Sequence, residues 1–158
     1  LVSESLLEAV PPQQEPALER RRVSLCAHAE WELRHDEPTA LSHWQRHFDA
    51  QPAIAPESAL AFADWVFEER IGFELLERVC LAALQHPRDP HTQGALLDAV
   101  GEARFNLGRM SEAIESMERA AALDTDNPRH ADTLDAWREL AAQRASKIAD
   151  APAGTANR

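Results

Sequence analysis

The chain has 158 residues, with 16 Lys and Arg against 27 Asp and Glu, a formal net charge of −11 and a pI near 5.0. That balance excludes a general nucleic-acid-binding surface, because neutralising phosphates takes clustered cations, and no apolar run approaches the roughly 20 residues of a membrane span. Lysine occurs once, at Lys147, and tyrosine is absent; the Ala, Leu, Glu and Arg usage is helix-forming, and 44% hydrophobic residues suffice for the core of one domain or two small ones.

Prolines mark the element boundaries, since proline is tolerated before a helix or in its first turn and disruptive inside it. Pro11, Pro12 and Pro16 end a flexible lead-in, residues 1–15, and open a helix over 16–34. That helix carries Arg20-Arg21-Arg22, the only dense basic patch of the chain. It reads as a solvated helix start beside Glu15, Glu19 and Glu30, with contact to an acidic partner or self-association against the acidic end of another copy as the alternative. Pro38 interrupts, and a second helix follows over 39–49 with Trp44 on its apolar side. Pro52 and Pro56 flank the loop to a helix over 57–70, where Trp65, like Trp31, Trp44 and Trp137, reads first as interhelix core; with Phe62, Val66 and Phe67 it makes the helix apolar nearly all round, which leaves room for cover by another chain. A helix over 73–86 leads to the Pro87 and Pro90 loop.

Beyond that loop, helices are expected over 92–107 and 111–123, with apolar stripes at Leu97, Val100 and Leu107, joined by the aliphatic stem of Arg104, and at Ile114, Met117, Ala121 and Leu123. Pro128, after Asp126-Asn127, opens a last helix over 129–149, and residues 150–158 form a disordered tail. No segment alternates as a half-buried strand does, so the fold class is all-α, one helical domain over 16–149.

Two groups of residues suggest chemistry. His43 and His47 stand at i, i+4 on one helical face, with His28, Glu32 and His35 on the helix before, a pattern that allows a zinc site. The H-E-x-x-H form is missing, because the sequence reads His43-Trp44-Gln45-Arg46-His47, and packed or surface histidines are the preferred reading. Cys26 and Cys80 match no C-x-x-C motif and read as buried thiols of a reduced compartment, hence a cytoplasmic protein. Neither a glycine-rich nucleophile turn nor a phosphate-cradling loop is present. No catalytic residue, metal or cofactor is assigned.

The chain also repeats itself. Leu97-Asp98-Ala99-Val100 recurs as Leu134-Asp135-Ala136-Trp137, and His86-Pro87-Arg88-Asp89-Pro90-His91 anticipates Asp124-Thr125-Asp126-Asn127-Pro128-Arg129-His130. Helix pairs at such a period indicate a solenoid. Residues 94–127 resemble one full tetratricopeptide repeat: Leu97, Val100, Gly101 and Phe105 on the first helix, Gly108 in the turn, Ala113, Met117 and Ala120 on the second, then Leu123-Asp124, with Thr125 where the family closes on proline. Residues 56–89 match more loosely, through Phe62, Ala63 and Val66, then Leu75, Val79, Ala82 and Pro87, with Gly72 late for the turn. Residues 21–54 match through Ala27, Trp31, Ala40, Trp44 and Pro52, with His28 and His47 where the family prefers small residues. Residues 129–149, with Leu134, Trp137 and Ala141, resemble the helix that seals such stacks.

The resemblance implies a right-handed α-solenoid of about three helix pairs plus a C-terminal capping helix, whose first helices line a concave groove for a peptide or partner helix. Carried over residue by residue, the groove-facing positions are Glu32, then Asp64, Phe67 and Glu68, then Asp98, Glu102, Phe105 and Asn106, and finally Asp132, Asp135 and Glu139. The groove is expected to be acidic, with Phe67 and Phe105 as apolar anchors and Asp98/Glu102 and Asp135/Glu139 as stacked carboxylate pairs. The expected function is a protein-interaction scaffold, adaptor or chaperone-like, binding a basic or amphipathic protein segment. The alternative is a regulatory or oligomerisation domain of a larger enzyme. The family's carboxylate clamp is not expected, because Asn106 is its only such residue here.

Overall fold

In a computed structural model, residues 16–86 and 89–149 are described. They form seven helices joined by short turns: α1 (Pro16–Arg34), α2 (Glu37–Asp49), α3 (Pro56–Glu69), α4 (Phe73–Ala83), α5 (Pro90–Asn106), α6 (Met110–Leu123) and α7 (Pro128–Ala149). No strand occurs among the described residues, so the all-α class stands. The expected flexible lead-in 1–15, the disordered tail 150–158 and the closing Pro87 with Arg88 lie outside them.

The helix starts follow from local chemistry. Pro56, Pro90 and Pro128 each occupy the first helical position, earlier than the sequence pattern placed these starts, because a first-turn proline forfeits no intrahelical bond. Two starts share one cap. Asp36 accepts the Thr39 backbone N–H at 3.1 Å and its hydroxyl at 2.7 Å. Asp89 does the same for Thr92, at 2.9 and 2.7 Å. Each satisfies one of the donors a helix leaves unpaired at its start. α4 ends at Ala83, three residues short of the expected 86, in a turn through Leu84 and Gln85. The turns inside the helix pairs need positive φ. Gly108 supplies +78° between α5 and α6, and between α3 and α4 the left-handed Arg70, at 60°, is followed by Gly72 at +79°.

Each helix packs on its sequence neighbour in the pairs α1/α2, α3/α4, α4/α5, α5/α6 and α6/α7, and α3 also touches both α1 and α5. The core has two parts. The larger gathers around Trp44, fully buried, whose ring lies 5.1 Å from Phe62, 5.9 Å from Phe48 and 6.3 Å from Trp65. Phe62 and Trp65, stacked at 5.9 Å, are therefore covered within the chain as interhelix core. The smaller part joins Leu97, Ala113, Met117 and Ala120 to Leu134 and Trp137 of α7. Full burial of side chains of this size is worth about 1.5–3 kcal/mol each. α7 outruns its support: residues 142–148 are all exposed, Ile148 at 77%. Among the described residues no helix is long and apolar enough to cross a membrane.

Candidate docking cleft

On α1, Arg20, Arg21, Leu25 and His28 fall on one side because three- and four-residue steps return to the same helical face. On α3, Ala61, Asp64, Trp65 and Glu68 do so by the same spacing. The two faces meet in an open cleft of about 370 Å³, lined by Arg20, Arg21 and Leu25 from α1 and by Asp64, Trp65 and Glu68 from α3. Trp65 is only 3% exposed, and its indole N–H has no hydrogen-bond partner among the described residues. Leu25 is 60% exposed. The cleft thus has apolar side chains between a guanidinium wall and a carboxylate wall. Beyond its end, Nδ1 of His28 pairs with Oε1 of Glu69 and ties α1 to α3. The hydrogen bond to Glu69 is the main reason the His28 pKa rises above its ordinary value, against some desolvation.

Asp64 and Glu68 are the two predicted site residues brought together here. Phe67 is half-buried in the main core, 6.5 Å from Phe73. Glu32 is exposed near the end of α1. The carboxylates of α5 stand in another setting. Arg129, at the start of α7, lies 3.9 Å from Asp98 and 3.8 Å from Glu102. Buried His130 lies 3.9 Å from Asp98. Burial raises the pKa of both carboxyls, and Asp98 raises Glu102 further. This pair is covered by α7 rather than laid open. Phe105 is also engaged, stacked 4.9 Å from the Trp137 ring, so its ring joins α5 to α7. The Asn106 side chain donates to the Glu102 carbonyl oxygen at 2.8 Å. Asp132, Asp135 and Glu139 are exposed on α7. Asp135 lies 3.9 Å from Arg138, and Glu139 accepts from Gln143 at 3.2 Å.

The histidine pair is drawn into packing. His43 is buried with Nδ1 3.1 Å from Arg46, and His47 Nε2 lies 3.3 Å from the Ser58 hydroxyl. Desolvation lowers the pKa of both rings. No group of three His, Cys, Asp or Glu side chains among the described residues converges on a metal position. Cys26 and Cys80 are free; burial raises both thiols, Cys80 to about 12.

One polar cluster has no counterpart in the sequence reading. Glu77 of α4 accepts from Arg104 Nε at 2.7 Å and pairs with Arg109, while Arg104 also donates to the Ser116 hydroxyl at 2.8 Å. Arg104 counts in the periodicity as an aliphatic stem, whereas its guanidinium bonds Glu77 of α4 and Ser116 of α6. That Arg20 and Arg21 stand opposite α3 has no local sequence signal either, because it depends on how α1 packs beside α3.

No family model matches this chain, and no curated protein or solved structure shows significant similarity to it.

Proposed function

We propose that the chain is a protein-interaction scaffold: a tetratricopeptide-like right-handed stack of α1/α2, α3/α4 and α5/α6, closed by α7. What supports the arrangement is that α3 touches α1 and α5 as well as its own partner α4, as first helices of successive pairs do, and that Gly108 has the positive φ such a turn needs. The two free thiols suit a reducing compartment and a cytoplasmic setting.

The observation that carries the function is the mixed lining of the α1–α3 cleft. Leu25 offers apolar contact, while Asp64 and Glu68 face Arg20 and Arg21 across it. Such a surface fits an amphipathic segment that turns cations toward α3, carboxylates toward α1 and an apolar side chain toward the floor. Charges at the rim supply orientation and on-rate more than affinity. The segment is sharpened from basic to two-signed, because Asp98 and Glu102 already face Arg129. The α1–α3 face therefore takes over from the α5–α7 carboxylates as the docking position.

The test is titration of a fluorescent helical peptide with a leucine stripe between a row of lysines and a row of glutamates. Asp64→Lys with Glu68→Lys is expected to weaken binding about tenfold or more. Asp98→Lys with Glu102→Lys is expected to lower the melting temperature, by setting two cations against Arg129. Equal binding by the wild type and the Asp64/Glu68 variant would sink the cleft reading.

A further inference from the structure

We infer that the occupant of the α1–α3 cleft is a second copy of this chain, bound face to face about a twofold axis. The inference rests on the docking reading above and names its partner. A twofold interface brings one patch against itself, so the patch must be its own complement. This one is: its cationic wall and its anionic wall stand on opposite sides of one cleft. Turning a second copy through a half rotation sets Arg20 and Arg21 of each chain against Asp64 and Glu68 of the other. Apolar contact is also on offer: Leu18 and Leu25, seven residues apart on one face of α1, are 45% and 60% exposed and would lie over the α3 face of the other copy.

The overall charge makes the location specific. Two chains of net charge −11 repel one another, which favours association through a local region of opposite sign. Arg20 and Arg21 belong to the only dense basic patch in the sequence, and they already lie across from exposed carboxylates. The size of the face sets the strength. The 19 residues of α1 make it about 28 Å long, and two adjacent helices are about 20 Å wide. That buries roughly 1,000 Å² in total, at the lower edge of specific interfaces, and corresponds to a reversible, concentration-dependent dimer.

Sedimentation equilibrium of the full chain over a concentration series, at low and high salt, tests this. The expected result is a monomer–dimer equilibrium that weakens with salt. Arg20→Glu with Arg21→Glu, and separately Asp64→Arg with Glu68→Arg, should each weaken dimerisation at least about tenfold. Mixing the two variants should restore a dimer, now exclusively mixed, because one partner is acidic on both walls and the other basic on both. All four positions are solvent-accessible, and circular dichroism should show unchanged helix content. Leu25→Asp gives a second disruption that involves none of these charges.

A chain that stays monomeric at every concentration overturns the inference. If that monomer binds the two-signed peptide, the docking reading survives with a different protein partner. If it binds nothing, both readings fail. A dimer indifferent to the four charges and to Leu25 also overturns the inference, by moving the contact elsewhere.

Discussion

Gly94, in the second turn of α5, lies where the end of α6 and the start of α7 converge. A Cβ there would stand 2.7 Å from the Asp124 Cβ and 3.4 Å from the His130 ring. Gly101, two turns later, is less crowded: its added Cβ would meet the Ala113 carbonyl oxygen at 3.3 Å. Alanine at either site gains about 1 kcal/mol of helix propensity. At Gly94 the enforced shift, typically about 1–3 kcal/mol for overpacking, outweighs it. Gly94→Ala is therefore expected to lower the melting temperature, and by more than Gly101→Ala, in thermal unfolding followed by circular dichroism. The repeat pattern places Gly101 and Ala120 on its two helices but gives Gly94 no role, because the crossing Gly94 serves also involves α7, which no local pattern specifies.

The elements themselves were largely legible, because their signals are local. Prolines opened the helices, Gly108 made its turn, and the stripe of Leu97 and Val100 found the core. What escaped was charge reaching between elements. Arg104 and Arg109 fall on or beside one hairpin and Glu77 on the helix before it, and nothing in a single helix's periodicity shows that they meet. The consequence is measurable. Burial tends to raise the Glu77 pKa, but the hydrogen bonds from Arg104 and Arg109 outweigh it, and the carboxyl lies below its ordinary 4.5. A depressed carboxylate stabilises the fold above its unfolded pKa, and that contribution is lost as the pH falls through the lower folded value. Glu77→Gln should thus cost about 1–2 kcal/mol at neutral pH. The gap to the wild type, read from urea titrations, should narrow as the pH drops below about 4.5; a gap independent of pH would contradict the ion-pair account.

At the scale of the whole molecule, the acidic excess divides into carboxylates with different duties. Asp98 and Glu102 meet Arg129, Glu77 holds a hairpin, and Asp64 and Glu68 look outward across a cleft from the one basic patch. The carboxylates of α5 and α7 share a phase in sequence, yet α7 lays its first turn over α5, so one pair is covered and the other exposed. The overhang of α7 has its own outcome. α7 is 22 residues long and α6 only 14, so roughly 12 Å of helix continues past the end of its support. A short unsupported helix is marginal in water, since its nucleation is shared with the packed half but its propagation is not aided by burial. Amide exchange along α7 should therefore run as a gradient, slow near Leu134 and Trp137 and accelerating turn by turn toward Ile148. The chain's last helix is a beam clamped at one end, and its melting is a property of position along the rod rather than of sequence.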